Sequence, residues 1–308
     1  MKNYYRVMLG RGSKYAKDCF AGNFIGTDFD PLQDLTGQLL DDWRAFNRTF
    51  IPVVLKLYPG TTKVAAGLAC GALWTVSKGI NKGDMVLCPD GESHYHVGEV
   101  SGDYFYLPQG VLPHRRPVQW HDETINRADM SETLKKSTGA SVTVCKITSY
   151  QDEIEQLLGG IAPPPPIPIE ERVEDLAAFT LEKHLEDFLV QNWAQTDLGK
   201  EYDIYTVDGE HVGQQYPTDT GPLDILAISK DKQTLLVVEL KRGCASDVVV
   251  GQILRYMGYV KEELAEPGQQ VKGAIIALED DLKIRRALSV SPNIAFYRYQ
   301  VTFKLVKA

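Results

Sequence analysis

Apolar residues recur along this chain at two different spacings, and the change from one to the other lays out its elements. In VEDLAAFTLEKHLEDFLVQNW, residues 173–193, Leu181, Leu185, Phe188 and Leu189 fall at helical intervals. YDIYTV (202–207), LDILAI (223–228) and TLLVVELK (234–241) instead alternate or run apolar over strand lengths, with SKDKQ as the turn between the last two. Period 3.6 returns in SDVVVGQILRYMGYVKEEL (246–264), where Ser246 and Asp247 offer caps. GAIIAL (273–278) reads as a buried strand, DDLKIRRAL (280–288) as a helix and IAFYRYQVTFKLV (294–306) as a long last strand. This succession predicts an α/β core, a mixed sheet flanked by helices.

The first 160 residues have a different texture. LWTVSKGINKGDMVLCPDGESHYHVGEVSGDYFYLP (73–108) and LPHRRPVQW (112–120) show short strands, each followed by turn residues, with many aromatics and histidines. They predict an α+β domain built around a small β-barrel. Between the two regions, IAPPPPIPIEE (161–171) can neither continue a helix nor join a central strand, and reads as a stiff spacer. The expected organisation is a domain over 1–160, a linker over 161–170 and a second domain over 171–308.

Composition narrows the class. At 308 residues and 44% hydrophobic content, the chain can bury two cores of ordinary size. Its five cysteines form no CxxC pair, which argues against a disulfide framework or a zinc site. No apolar run approaches the roughly 18 residues of a membrane helix, and a cytoplasmic protein is expected. The net charge of -8 runs against nucleic-acid binding, which calls for a basic face. Local pairs such as Arg115 with Arg116, Lys241 with Arg242, and Arg285 with Arg286 could still track a phosphate backbone. GRGSK (10–14) lacks the spacing of a phosphate loop, so no nucleotide triphosphate is expected.

The candidate chemistry sits in the predicted hairpin. Side chains two apart on a strand share a face, so Glu239 and Lys241 point together while Leu240 enters the core. With Asp224 on the neighbouring strand, two carboxylates and the Leu240 carbonyl form an oxygen set suited to Mg²⁺ or Mn²⁺. Lys241 would stand beside the activated water, an arrangement for phosphodiester hydrolysis. A solvated edge strand with a surface Lys–Glu pair would give the same triplet. The following helix, with Gln252 and Tyr256 one turn apart, weighs against that.

GPLDILAISKDKQTLLVVELKRGCASDVVVGQILRYMGYV (221–260) closely resembles the C-terminal catalytic domain of NucS-type endonucleases in the PD-(D/E)xK superfamily. The resemblance covers about the last 130 residues. It implies a restriction-endonuclease-like fold, with Asp224 and Glu239 as metal ligands, Lys241 completing the ExK, and Gln252 and Tyr256 as the QxxxY element. It also implies a glutamate on the first helix, for which Glu182 and Glu186 both qualify. Pro222 is one residue removed from the family's place before the aspartate. Arg242, Arg255 and Tyr256 are the DNA-contact candidates of this domain.

In the first domain, GI..GD.VL, VGEV..DY.Y and HRR.V.W look similar to PUA-like readers of the EVE and ASCH group. That implies an aromatic pocket for a base, with Trp74, Tyr104, Tyr106 and Trp120 as walls and Arg115 and Arg116 on phosphate. Core packing is the competing role for each of these aromatics. The expectation is a Mg²⁺-dependent DNA endonuclease acting in restriction of foreign or modified DNA, as a homodimer. Repair of mismatched or branched DNA, or a non-cleaving DNA sensor, are the alternatives.

Overall fold

In the computed structural model the chain divides into two compact units, Met1–Ile167 and Pro168–Ala308. The structure describes residues 2–29, 31–140, 142–159, 185–207 and 209–299. The proline-rich linker expected at 161–170 and the residues from 300 onward lie outside that set.

The first unit runs β1 (Tyr4–Val7), α1 (Ala16–Ala21), β2 (Phe24–Thr27), α2 (Trp43–Leu57), α3 (Lys63–Trp74), β3 (Met85–Pro89), β4 (His94–Val100), β5 (Phe105–Tyr106), β6 (His114–Asn126), α4 (Glu132–Thr138), β7 (Val144–Lys146) and α5 (Gln151–Leu158). Local chemistry sets the helix starts. Asp42, Thr62 and Ser131 each accept an amide from the first turn that follows, satisfying donors the helix itself cannot. Seven strands form one sheet in the order β2-β6-β4-β3-β1-β7, with β5 added to β6. That order has two free ends among the described residues, so the sheet is open and does not close into the small barrel expected from the sequence. Its apolar residues divide into one cluster around Val7, Ile25, Val86 and Val118 and another around Tyr4, Leu87, Val97 and Ile125. Alternation along the strands feeds both faces.

The described part of the second unit opens with helical residues 185–191 (α6). There follow α7 (Asp197–Glu201), β8 (Tyr202–Ile204), β9 (Thr206–Val207), β10 (Glu210–His211), β11 (Gln214–Tyr216), β12 (Leu223–Ser229), β13 (Thr234–Ala245), α8 (Asp247–Tyr259), β14 (Gln270–Asp280), α9 (Leu282–Ser289) and β15 (Ile294–Arg298). Its main sheet is ordered β11-β12-β13-β14-β15, and β8 also pairs with β12. The strands β11, β12 and β13 are antiparallel neighbours, while β13, β14 and β15 are parallel, so the sheet is mixed as expected.

Strand parity assigns the two faces of this sheet. Ile225, Ala227, Leu236, Val238, Leu240, Ala274 and Ile276 share one face and pack with Leu189, Val190 and Trp193. Each of the valine, leucine and isoleucine side chains among these, fully buried, contributes about 1.5–3 kcal/mol. The indole of Trp193 also donates to the Tyr202 carbonyl at 2.7 Å. Phe188, one of the apolar residues in the predicted helical stripe, is instead 62% exposed. On the opposite face α8 lies directly on β14, where a Cβ at Gly273 would meet Met257 Sδ at 2.7 Å. Glycine is what permits that approach.

Candidate active site

The strand register alone brings the first three side chains together. Gln214 pairs with Ile225 and Tyr216 with Leu223, which sets Gln215 opposite Asp224. Ile225 pairs with Val238, and the next step of that ladder sets Asp224 opposite Glu239. Residues directly opposite on neighbouring strands share a face. Lys241 joins that face two residues beyond Glu239, while Leu240 turns into the core, as the sequence predicts.

Hydrogen bonds fix the groups. Asp224 Oδ2 accepts the Leu240 amide at 2.7 Å, and its Oδ1 accepts Gln215 Nε2 at 3.3 Å. Glu239 is 1% exposed, and its Oε1 accepts Lys241 Nζ at 2.8 Å. The Lys241 side chain is 29% exposed, so the pair joins a buried carboxylate to a partly exposed lysine. A buried carboxylate without a cation would cost several kcal/mol, and this pairing offsets that cost.

Two helices complete the surround. Glu186 on α6 is buried, and its two oxygens accept from Gln214 Nε2 at 2.7 Å and Gln215 Nε2 at 2.5 Å. Glu182, the other glutamate that qualified, lies outside the described residues. From α8, Gln252 hydrogen-bonds the Tyr256 hydroxyl, whose pKa is raised by burial with Glu239 and Asp224 adding to the effect. A Cβ on Gly221 would lie 3.6 Å from that hydroxyl, so Tyr256 closes over the turn that leads into Asp224. Tyr256 was expected to touch DNA, but it is 5% exposed and belongs to the interior of the site. Arg255, one residue before it, and Arg242 are both exposed.

Among the described residues no three His, Cys, Asp or Glu side chains form a group that could by itself hold a metal. The donors that are present fit a hard cation. Asp224, Glu239 and the Leu240 carbonyl are all oxygen, and Mg²⁺ commonly takes one or two carboxylates and keeps several waters. The amide and carbonyl of one strand residue point to the same side, so the carbonyl of Leu240 faces the strand that carries Asp224.

In the first unit the structure corrects the expected reader pocket. Arg115 is 8% exposed, donates to the carbonyls of Leu112 (3.0 Å) and Val111 (2.5 Å), and lies 3.7 Å over the Phe24 ring. Arg116 is 4% exposed and donates to the carbonyls of Gly102 (2.8 Å), Ile80 (2.7 Å) and Ser77 (3.3 Å). Burial lowers the pKa of both. These guanidiniums satisfy the backbone of their own fold and are not placed to hold phosphate.

The four aromatics do not gather around one cavity. Trp74 donates its indole N–H to Leu40 O at 2.8 Å, and the Tyr106 hydroxyl donates to Leu32 O at 2.7 Å. Tyr104, its hydroxyl pushed to about 12 mainly by burial, accepts the Leu35 amide and donates to His114 Nδ1 at 2.9 Å. The other His114 nitrogen meets Pro31 O at 2.9 Å, which can only accept, so Nε2 carries the proton. These groups pin the 31–40 segment to β5, β6 and α3. Trp120 lies elsewhere, edge-on to Phe20 and His96, whose rings stack at 3.8 Å.

Sequence reasoning passed over Gln214, Gln215 and His114. The first two precede the motif in a stretch without regular periodicity, and Gln215 has a positive φ of 50°. His114 was read only as the start of HRR. Its flanking prolines and the run of buried residues in β6 were the available signal.

Comparison with known proteins assigns each unit separately. Residues 182–298 match the family described as the endonuclease NucS C-terminal domain, and residues 5–148 match a domain of unknown function (DUF8426). No curated protein matches the chain. Among solved structures it is similar to an EndoMS–dsDNA complex, at 13% identity and a TM-score of 0.34 over 68% of this chain and 62% of that one. It is also similar to a repair endonuclease from Pyrococcus abyssi, at 15% identity and a TM-score of 0.31 over 69% and 66%. The MspJI restriction endonuclease bound to a 27-mer oligonucleotide follows at 9% and 0.25 over 81% and 62%. The chain thus spans less than two thirds of the length of each. Its second unit, with the acidic pair and lysine on one sheet face, matches over residues 182–298 the family model of the endonuclease NucS C-terminal domain.

Proposed function

We propose that this protein is a metal-dependent DNA endonuclease of the PD-(D/E)xK type. The observation that carries the reading is Asp224 facing Glu239 across β12 and β13, with the Lys241 ammonium 2.8 Å from Glu239 Oε1. A bound Mg²⁺ or Mn²⁺ would supply Lewis acidity toward the phosphodiester and acidify a water. Asp224, Glu239 and the Leu240 carbonyl would hold it. Lys241, partly exposed to solvent, orients the attacking water and offsets the negative charge that grows on the phosphate oxygens. Glu186 is the helix carboxylate of the site. Gln252 and Tyr256 fix the wall behind it, and Arg255 and Arg242 stand exposed where the DNA backbone would approach.

The proposed setting is restriction of foreign or modified DNA, with the first unit selecting the target and the second cutting. Cleavage of mismatched or branched DNA is the reading that the family of the second unit supports by itself. Cutting both strands with one site per chain calls for two chains, so a homodimer is proposed. The test is cleavage of modified, unmodified and mismatched duplexes with Mg²⁺, Mn²⁺, Zn²⁺ or EDTA. Mg²⁺ or Mn²⁺ should support cleavage and EDTA should stop it. Activity that survives EDTA and responds to Zn²⁺ alone would overturn the oxygen-ligand assignment.

A further inference from the structure

The endonuclease motif leaves one feature of the site unaccounted for. Two acids, Glu186 on α6 and Asp224 on β12, are brought to the same place from different elements, and like charges so placed repel. One side-chain amide reaches both. Gln215 Nε2 is 2.5 Å from Glu186 Oε2 and 3.3 Å from Asp224 Oδ1.

The backbone is shaped to deliver that amide. Gln215 lies opposite Asp224 in the ladder and has a φ of 50°, in the left-handed region that non-glycine residues seldom adopt. Its neighbour Gln214 reaches Glu186 Oε1 and Asp187 Oδ1, at 2.7 and 3.1 Å, and so holds the helix acid from its other side. Gln215 differs in reaching the sheet acid as well. Because the Leu240 amide engages the second oxygen of Asp224, the two donors together fix the plane of that carboxylate.

We propose that Gln215 is a positioning residue for the metal centre. It docks the α6 carboxylate against the sheet and holds Asp224 in the orientation in which it binds a divalent cation. The role rests on the endonuclease reading of Asp224 and Glu239. Groups that orient metal ligands in this way typically carry a 10- to 100-fold share of metal affinity.

The experiment measures Mn²⁺ affinity of the full chain, from the signal of free Mn²⁺ in electron paramagnetic resonance, beside the melting temperature. Gln215→Gly keeps the positive φ and removes the amide. Gln215→Asn also tolerates that φ but is one methylene too short to span both acids. Glycine should weaken Mn²⁺ binding about tenfold or more, and asparagine by a smaller factor, with melting close to the parent's. If Gln215→Gly also lowers the melting temperature, Gln215→Asn decides. Weaker binding at unchanged melting supports the role, and parental affinity in a folded Asn variant overturns it. Glu239→Gln separates the two levels of the argument. If it keeps parental Mn²⁺ affinity, the site itself is misassigned, whereas if it loses binding while Gln215→Gly does not, only the role of Gln215 falls.

Discussion

Each unit buries charge, but the two units use it in opposite ways. In the first, Arg115 and Arg116 are spent on carbonyls of their own backbone, five in all, and Arg6, fully buried, donates to those of Val142, Thr143 and Ala140. In the second, Glu239 is paired with a lysine that remains partly open, and Asp224 accepts from the Leu240 backbone amide and the Gln215 side-chain amide. Arginine with several fixed donors suits the first use, since one side chain can close several backbone acceptors. Carboxylates leave lone pairs available for a cation, which suits the second. A buried charge therefore marks a site only when its partners leave it something to do.

Mutations should break that contrast along different observables. The largest effect is expected in the second unit: Asp224→Ala or Glu239→Gln should cut Mg²⁺-dependent cleavage by about a thousandfold or more, with little change in melting. Near-parental cleavage by either purified variant would sink the assignment. Arg116→Ala should act the other way. It strands three carbonyls and should cost about 3 kcal/mol of stability in the first unit, while the salt dependence of DNA binding stays unchanged. A stable variant with a flatter salt dependence would restore the phosphate reading.

Tyr104→Phe comes next. It removes the hydroxyl between the Leu35 amide and His114, and should cost about 1–2 kcal/mol, read by chemical denaturation. The smallest effect concerns His96, whose pKa burial holds below its ordinary value of 6.5, with Asp90 opposing that shift and His94 reinforcing it. The unfolded chain then binds more protons between the two values. Stability of the first unit is full above about pH 6.5 and declines as the pH falls toward the folded value. His96→Phe should flatten that decline in melting temperature, and an unchanged slope would remove His96 as its source.

The same contrast explains what the sequence disclosed. The hairpin was legible because a period of two is unambiguous once the turn at 229–233 is located, and parity then puts Glu239 and Lys241 on one face with Leu240 on the other. Gln215 was not legible, because its role depends on a positive φ and on a helix that arrives from outside the hairpin. Arg115 and Arg116 misled for a different reason. Adjacent strand residues point to opposite faces, so an HRR run on a solvent-facing strand exposes at least one arginine, but β6 is covered on both sides at that point. Closure of the first sheet was also beyond reach, since local pattern identifies strands and leaves open whether the two ends of a sheet meet.

The mixed sheet of the second unit also implies an order of assembly. Gln215, Asp224, Glu239 and Lys241 all lie on β11, β12 and β13, neighbours both in sequence and in space, joined by short connections. Strands β14 and β15 add to them in parallel, across α8 and α9, and pay a larger loop-closure cost before their contacts form. The hairpin that carries the chemistry is thus the low-contact-order part of the domain, able to form within microseconds once the chain emerges. The parallel half, which bears no candidate ligand, is left to set the pace of folding.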